Sequence, residues 1–188
     1  MVARRRGALR KRRAVSNILA ALFLVIIAIA AAGVGIVMMK QQTESLTRIT
    51  SIDASQSRLY VNPTTGNGAL TLVFTNTGTT TVIIQAGRIG QQGLANMTFA
   101  SPVQIKYKTA NGTVVTVEAT SVTTSDPARS GVTSQGLVLT SQTSATIQFT
   151  ELSSISASIP PNNEYAVTIY TTGAEVFTFK IVAETSGA

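Results

Sequence analysis

This 188-residue chain has no histidine, no cysteine and no tryptophan. Without histidine the chain lacks the one side chain that titrates near neutrality unperturbed, and with it the commonest general base. Without cysteine there is no thiol nucleophile and no disulfide framework, and the ligand sets of most zinc, copper and haem sites are missing. Charged residues make up 12% of the chain and aromatics 5%, too few for the basic, aromatic-rich face of a nucleic-acid binder. The acids Asp53, Glu118, Asp126, Glu151, Glu164 and Glu175 are scattered, and no pair has the spacing or flanks of a general acid and base. The expectation is a protein that is not an enzyme, with no catalytic, cofactor-binding or metal-binding residues and no cofactor.

The net charge of +7 suggests an anionic partner, but its distribution removes that reading. Arg4, Arg5, Arg6, Arg10, Lys11, Arg12 and Arg13 supply seven of the 15 basic groups, leaving eight basic against eight acidic residues from Val15 onward. The body of the chain is neutral, so no nucleic-acid partner is expected.

From Val15 to Met39 no residue is charged. As a helix this stretch is roughly 37 Å long, more than the ~30 Å of a bilayer's hydrocarbon core. Its Leu, Ile, Val and Phe residues favour insertion by roughly −4 to −7 kcal/mol in sum. The basic cluster before it, against Lys40 alone immediately after it, holds the N-terminus in the cytoplasm and sends the remainder outward. The segment is apolar all round, so lipid or other helices must surround it. Ala28 and Ala32, and Ala31 and Gly35, are spaced for close helix approach, and Gly33 and Gly35 mark the place where bending is expected. From Lys40 to about Ser57 the chain is polar yet helix-compatible, with Leu46, Ile49 and Ile52 at spacings of three, so the helix is expected to continue as a stalk.

Three fates fit this region. It is a permanent signal-anchor, or a secretory signal removed near Ala30-Ala31-Ala32, or a helix freed of its basic leader by cleavage between Ala14 and Val15. The apolar run continues through Val34, Ile36, Val37, Met38 and Met39, past where a secretory signal ends. The residues RKRRA followed by VSNILAALFLVIIAIAAAG resemble the class III signal of type IV pilins. The likeness covers roughly the first 40 residues. Bacterial pilins usually carry Gly before the cut, Phe after it and Glu at the fifth mature position; here Ala14, Val15 and Leu19 stand there, which is similar to archaeal pilins and archaellins. The resemblance implies cleavage at Arg12, Arg13, Ala14 and Val15 by a prepilin peptidase, and packing of the mature helix with copies of itself in a filament core. It also implies an assembly ATPase and a membrane platform protein as partners.

After about Arg58 the apolar pattern changes to alternation, the period of strands. Leu70, Leu72 and Phe74 share one face, as do Val103, Ile105 and Tyr107; Val115 and Val117; Ala145, Ile147 and Phe149; Val167 and Ile169; and Phe177, Phe179 and Ile181. Further strands are expected over residues 59–61, 82–86, 94–99 and 136–140. Seven to ten short antiparallel strands predict a β-sandwich, Ig-like in the loose sense, with a closed barrel as the alternative. Asn76-Thr77-Gly78, Asn111-Gly112 and Pro160-Pro161-Asn162-Asn163 mark turns. Residues 120–135 lack alternation and read as a long exposed loop.

The organisation expected is therefore a leader over 1–14, a hydrophobic helix and stalk over 15–57, and a surface-exposed all-β domain over 58–188. Asn96-Met97-Thr98 and Asn111-Gly112-Thr113 are candidate N-glycosylation acceptors if the domain is exported. The 28 Thr and 17 Ser suit pleated, solvated surfaces. Gly33-Val34-Gly35 is no dinucleotide loop, because it lacks a third Gly and a preceding strand. The reading that joins these features is the subunit of an extracellular filament, a homopolymer inserted in the cytoplasmic membrane as its precursor, serving adhesion. An archaellin of a motility filament and a monomeric, membrane-anchored extracellular binding module are the alternatives.

Overall fold

The computed structural model describes residues 3–47, 49–90 and 93–185, and within the helix the side chains of residue 17 and residues 19–40. The chain divides into two compact units, Met1–Thr47 and Arg48–Ala188. The first is a single helix, α1, over Ala3–Thr47. Its hydrogen-bonded ladder runs without interruption through Gly33 and Gly35. The apolar stretch holds a run of Ala, Leu and Met, which are strong helix formers, and no proline.

The helix ends at Thr47, short of the stalk expected to reach Ser57. Thr47, Ile49, Thr50 and Ile52 are β-branched and disfavour helix, and Asp53 starts a turn by accepting the Ser55 amide at 2.9 Å. Residues from Ile49 onward belong to the β unit instead, so its start lies earlier than Arg58.

The second unit holds thirteen strands among the described residues. In order they are β1 (Ile52–Asp53), β2 (Arg58–Val61), β3 (Gly68–Asn76), β4 (Val82–Ile89), β5 (Ala95–Thr98), β6 (Gln104–Lys108), β7 (Val114–Glu118), β8 (Ser121–Thr124), β9 (Gly131–Thr133), β10 (Gly136–Leu139), β11 (Ser144–Leu152), β12 (Glu164–Thr171) and β13 (Val176–Thr185). The main path is β7-β6-β5-β4-β12-β13-β2-β3-β11-β8, with β1 beside β3 and the β9–β10 pair beside β4. β13 belongs to both halves of this path. Its residues 176–182 pair antiparallel with β12, and Ala183–Thr185 pair parallel with β2. The sheet therefore curls on itself, and its two halves face each other across one core. The all-β domain after an N-terminal apolar helix is the expected class; the parallel β2–β13 pair is the departure from full antiparallel pairing.

Alternation explains which side chains fill the core. Leu70, Leu72 and Phe74 of β3 lie opposite Phe149, Ile147 and Ala145 of β11, and all six are buried. The Phe74 ring meets Phe99 edge-on at 5.5 Å and Phe179 at 6.1 Å, a favoured arrangement for aromatic pairs. The buried apolar residues all lie between Ala54 and Ala183.

The expected loop over 120–135 contains β8 and β9. β8 has one apolar residue, Val122, and is held as an edge strand by pairing Ser121–Thr124 with β11. The stretch between them is pinned by polar contacts: buried Ser130 shares hydrogen bonds with Thr143 at 2.8 Å and Thr140 at 3.2 Å. Hydrophobic alternation carries no signal for a segment anchored this way. These two strands and the short β1 bring the count above the seven to ten expected.

Candidate assembly helix and surface sites

Leu19–Lys40 of α1 has the length and composition of a membrane-crossing helix. Its large apolar side chains, from Leu19 to Met39, are between 50% and 70% exposed. On a helix of 100° per residue, Ala28, Ala31, Ala32 and Gly35 fall within an arc of about 100°, and a methyl placed on Gly35 meets no atom within 4 Å. The four small residues thus form one open strip on which a second backbone can approach closely. Arg12, Arg13, Ala14 and Val15 lie in the helical backbone; their side chains fall outside the described residues.

The first residues after the helix are fastened to the turn between β3 and β4. Thr79 N–H donates to the Ile49 carbonyl at 2.8 Å, and Thr77 N–H donates to the Ser51 carbonyl at 3.0 Å. In return, Ile49 N–H donates to Thr79 Oγ1 at 3.1 Å. Under this clamp, buried Asn76 organises the turn. Its Nδ2 donates to the carbonyls of Thr80 at 2.7 Å and Leu139 at 3.0 Å, while its Oδ1 accepts from Gly78 N–H at 3.0 Å. The sequence marks Asn76-Thr77-Gly78 as a turn, yet nothing in it shows that the segment receiving the chain from the helix is bonded there.

Asn96 and Thr98 are exposed with Met97 buried between them, and Asn111, Gly112 and Thr113 are all exposed. Asn111 occupies the tip of the β6–β7 hairpin, where Gly112 adopts φ of 78° and Gly112 N–H donates to the Thr109 carbonyl at 2.9 Å. Asn96 lies on β5, in register with Arg88 of β4 on one side and Lys106 of β6 on the other. Beside it a cleft of about 340 Å³ is lined by Leu94, Lys106, Lys108, Val114 and Ser158 together with Asn96. The sequence alone does not show these basic neighbours, because their proximity depends on strand pairing, although Lys106 and Lys108 stand two apart in a single alternating run. A second cleft, of about 300 Å³, is lined mainly by Thr50, Thr80, Thr81, Thr171 and Thr172, with Glu175.

Among the described residues no group of three or more acidic side chains is arranged to hold a metal. The acids named above remain dispersed: Asp126 pairs with Arg129 at 3.9 Å and Glu164 with Lys180 at 3.1 Å, and Glu118 accepts from Gln104 at 3.3 Å. Among the described residues two titrations depart from the ordinary. The Ser55 backbone amide, assisted by the Ser55 hydroxyl, holds the Asp53 carboxyl below its usual range, and burial pushes the Tyr107 phenol up. No protein-family model matches the chain, and no curated protein matches it.

Proposed function

We propose that this protein is the structural subunit of an extracellular pilus-like filament. In this reading residues 1–14 are removed after export is initiated, and α1 from Val15 leaves the membrane to pack with identical helices. The observation that carries it is the exposed apolar surface of Leu19–Met39 combined with a basic cluster confined to the residues before it. Apolar area of this extent is not stable in water; lipid satisfies it before assembly and copies of itself afterwards. Retained leaders would bring seven positive groups per subunit to the ends of closely packed helices, where like charges repel. Cleavage removes that repulsion, which is why processing precedes assembly.

The β domain is then the filament's outer surface, neutral in net charge and rich in threonine. Adhesion is the role this surface serves. Partners are further copies of the chain, a prepilin peptidase, and an assembly ATPase with its membrane platform. The deciding experiment is N-terminal sequencing of material sheared from cells. A start at Val15 in fibres visible by electron microscopy is expected. A start at Gly33 supports ordinary secretion, and a full-length monomer extracted from membranes by detergent supports an anchored module; either overturns the proposal. Loss of swimming rather than of attachment on deletion identifies an archaellin in place of an adhesive pilin.

A further inference from the structure

The antiparallel run β7-β6-β5-β4-β12-β13 ends in two open edges. β7 stands at one end, and no described strand pairs with its outer side. At the other end β13 meets β2 only from Ala183 onward, so residues 176–180 pair with β12 alone. Hydrogen bonds beside each hairpin fix which backbone groups face outward. Thr109 N–H donates to the Thr113 carbonyl and Ala119 N–H to the Val103 carbonyl, both at 2.9 Å. The bonded pairs between β6 and β7 therefore fall on odd-numbered residues, and the N–H and C=O of Val114, Thr116 and Glu118 point away from β6. In β13 the same alternation follows from Thr171 N–H donating to the Glu175 carbonyl at 3.1 Å and Ala183 N–H to the Asn163 carbonyl at 3.0 Å. It turns the N–H and C=O of Val176, Thr178 and Lys180 away from β12.

Side chains at the two edges match as well. Val114, Thr116 and Glu118 are exposed, as are Val176, Thr178 and Lys180, so in both strands the residues with outward backbone groups lie on the solvent face. Between them stand Val115 and Val117 of β7 and Phe177 and Phe179 of β13, which pack against the core yet are only partly buried. The core is thus unfinished along both edges. Proteins usually blunt an edge with lysine, proline or a bulge. The β7 sequence VVTVE has neither lysine nor proline, and its register is regular; Lys180 on the β13 edge is neutralised by Glu164 at 3.1 Å.

We infer that β7 of one copy of the chain pairs with β13 of the next. The inference deepens the filament reading and rests on it. The pairing is antiparallel, which sets solvent face beside solvent face; a parallel pair would set the core face of one edge beside the solvent face of the other. The register that uses every open group pairs Val114 with Lys180, Thr116 with Thr178 and Glu118 with Val176, each pair exchanging both of its N–H···O=C bonds. It lays Val115 against Phe179 and Val117 against Phe177, pairs of the aromatic and β-branched kind that stabilise sheets. It also extends the Thr168–Thr178 hydroxyl contact, at 3.4 Å, to Thr116. Because the two edges are different surfaces, every contact leaves one β7 and one β13 free. Such head-to-tail joining runs on as a ring or a helix rather than stopping at a dimer, as the subunits of a filament require.

The chain has no cysteine of its own, so introduced thiols report the contact by cross-linking. Fibres of the chain carrying Thr116→Cys with Thr178→Cys are expected, under mild oxidation, to give a ladder of covalent multimers on a denaturing gel. A bonded antiparallel pair holds its Cα atoms about 5.5 Å apart, within the reach of a disulfide. Val114→Cys with Thr178→Cys stands two residues out of register, with Cα atoms beyond about 7 Å, and is expected to cross-link at least about 10-fold less. Thr116→Pro removes one outward N–H while leaving the bonds to β6 in place, and is expected to lower fibre yield about 10-fold through the edge bonds lost at every contact. An unchanged yield from Thr116→Pro, fibres without a ladder, equal cross-linking from both cysteine pairs, or dimers from Thr116→Cys alone, which would set β7 against itself, overturns the inference. Each of these leaves the filament reading standing, whereas an unsubstituted chain that forms no fibres removes both.

Discussion

A methyl group on Gly78 would lie 2.2 Å from the carbonyl oxygen of Ile49. The distance arises because the turn after β3 receives the chain as it leaves the helix, and the backbones at 49–51 and 77–79 are in hydrogen-bonding contact. Only glycine permits this approach. Gly78→Ala must push one segment away from the other. The expected cost is about 1–3 kcal/mol, typical of forced overpacking. Thermal unfolding measures it, and hydrogen exchange localises it to the amides of Thr77 and Thr79. An unchanged melting temperature would show that the clamp yields freely.

Asn76 meets the same turn from below, and its side chain satisfies three backbone groups, two of them in buried hydrogen bonds and the third part-buried. Asn76→Ala leaves the carbonyls of Thr80 and Leu139 and the amide of Gly78 without these partners, at about 1–3 kcal/mol for each group that finds no substitute. Asn76→Asp is expected to be no milder, since a carboxylate cannot donate to two carbonyls. Denaturant unfolding distinguishes the two: similar losses identify the donated bonds as the important ones. A mild aspartate variant beside a severe alanine one would place the weight on the Gly78 amide.

Gly78 and Asn76 also mark how far the sequence is legible. Asn76-Thr77-Gly78 is readable as a turn, and the alternation of Leu70, Leu72 and Phe74 is readable as a strand, because both signals are local. The path of the chain over that turn is not local, so the spacing of Leu46, Ile49 and Ile52 predicts one continuous helix, whereas Leu46 lies in α1 and Ile49 and Ile52 are held by the β unit. β8 escapes notice for a related reason. Ser121, Thr123 and Thr124 gain their order from β11 across the sheet and from the Ser130 hydroxyl network, neither of which leaves a hydrophobic period. At the sites, Asn96 is recognisable from its sequon, whereas Arg88 becomes its neighbour only through strand register.

Tyr107 and Asp53 each tie stability to pH, at opposite ends of the range. The Tyr107 phenol donates to the Ser153 carbonyl at 2.9 Å, and burial raises its pKa above the ordinary 10.0. The unfolded chain releases this proton first, so the contribution is complete below pH 10.0 and is lost as pH rises through the raised value in the folded state. Asp53 has its pKa lowered from 3.8, so its contribution is present above that value and lost as pH falls through the lowered one. Tyr107→Phe is expected to flatten the alkaline limb of a melting-temperature profile, and Asp53→Asn the acid limb. A limb that keeps its slope in the matching variant assigns the titration to another group.

The small-residue strip of α1 separates two requirements that the apolar helix otherwise meets together. Membrane insertion depends on summed hydrophobicity, whereas helix association depends on how near two backbones come. Ala32→Leu and Gly35→Leu add apolar area, so insertion is retained or strengthened. The added side chains stand on the strip and hold a neighbouring helix away. Fibre yield is therefore expected to fall at least about 10-fold, the effect of a difference near 1.4 kcal/mol per contact, with mature subunits accumulating in the membrane fraction. Gly33→Leu supplies the comparison, because residue 33 points about 150° from the middle of the strip and adds the same side chain elsewhere. Equal loss from all three variants would mean that bulk anywhere on the helix prevents assembly. Loss confined to positions 32 and 35 would identify the strip as the face that meets the next subunit.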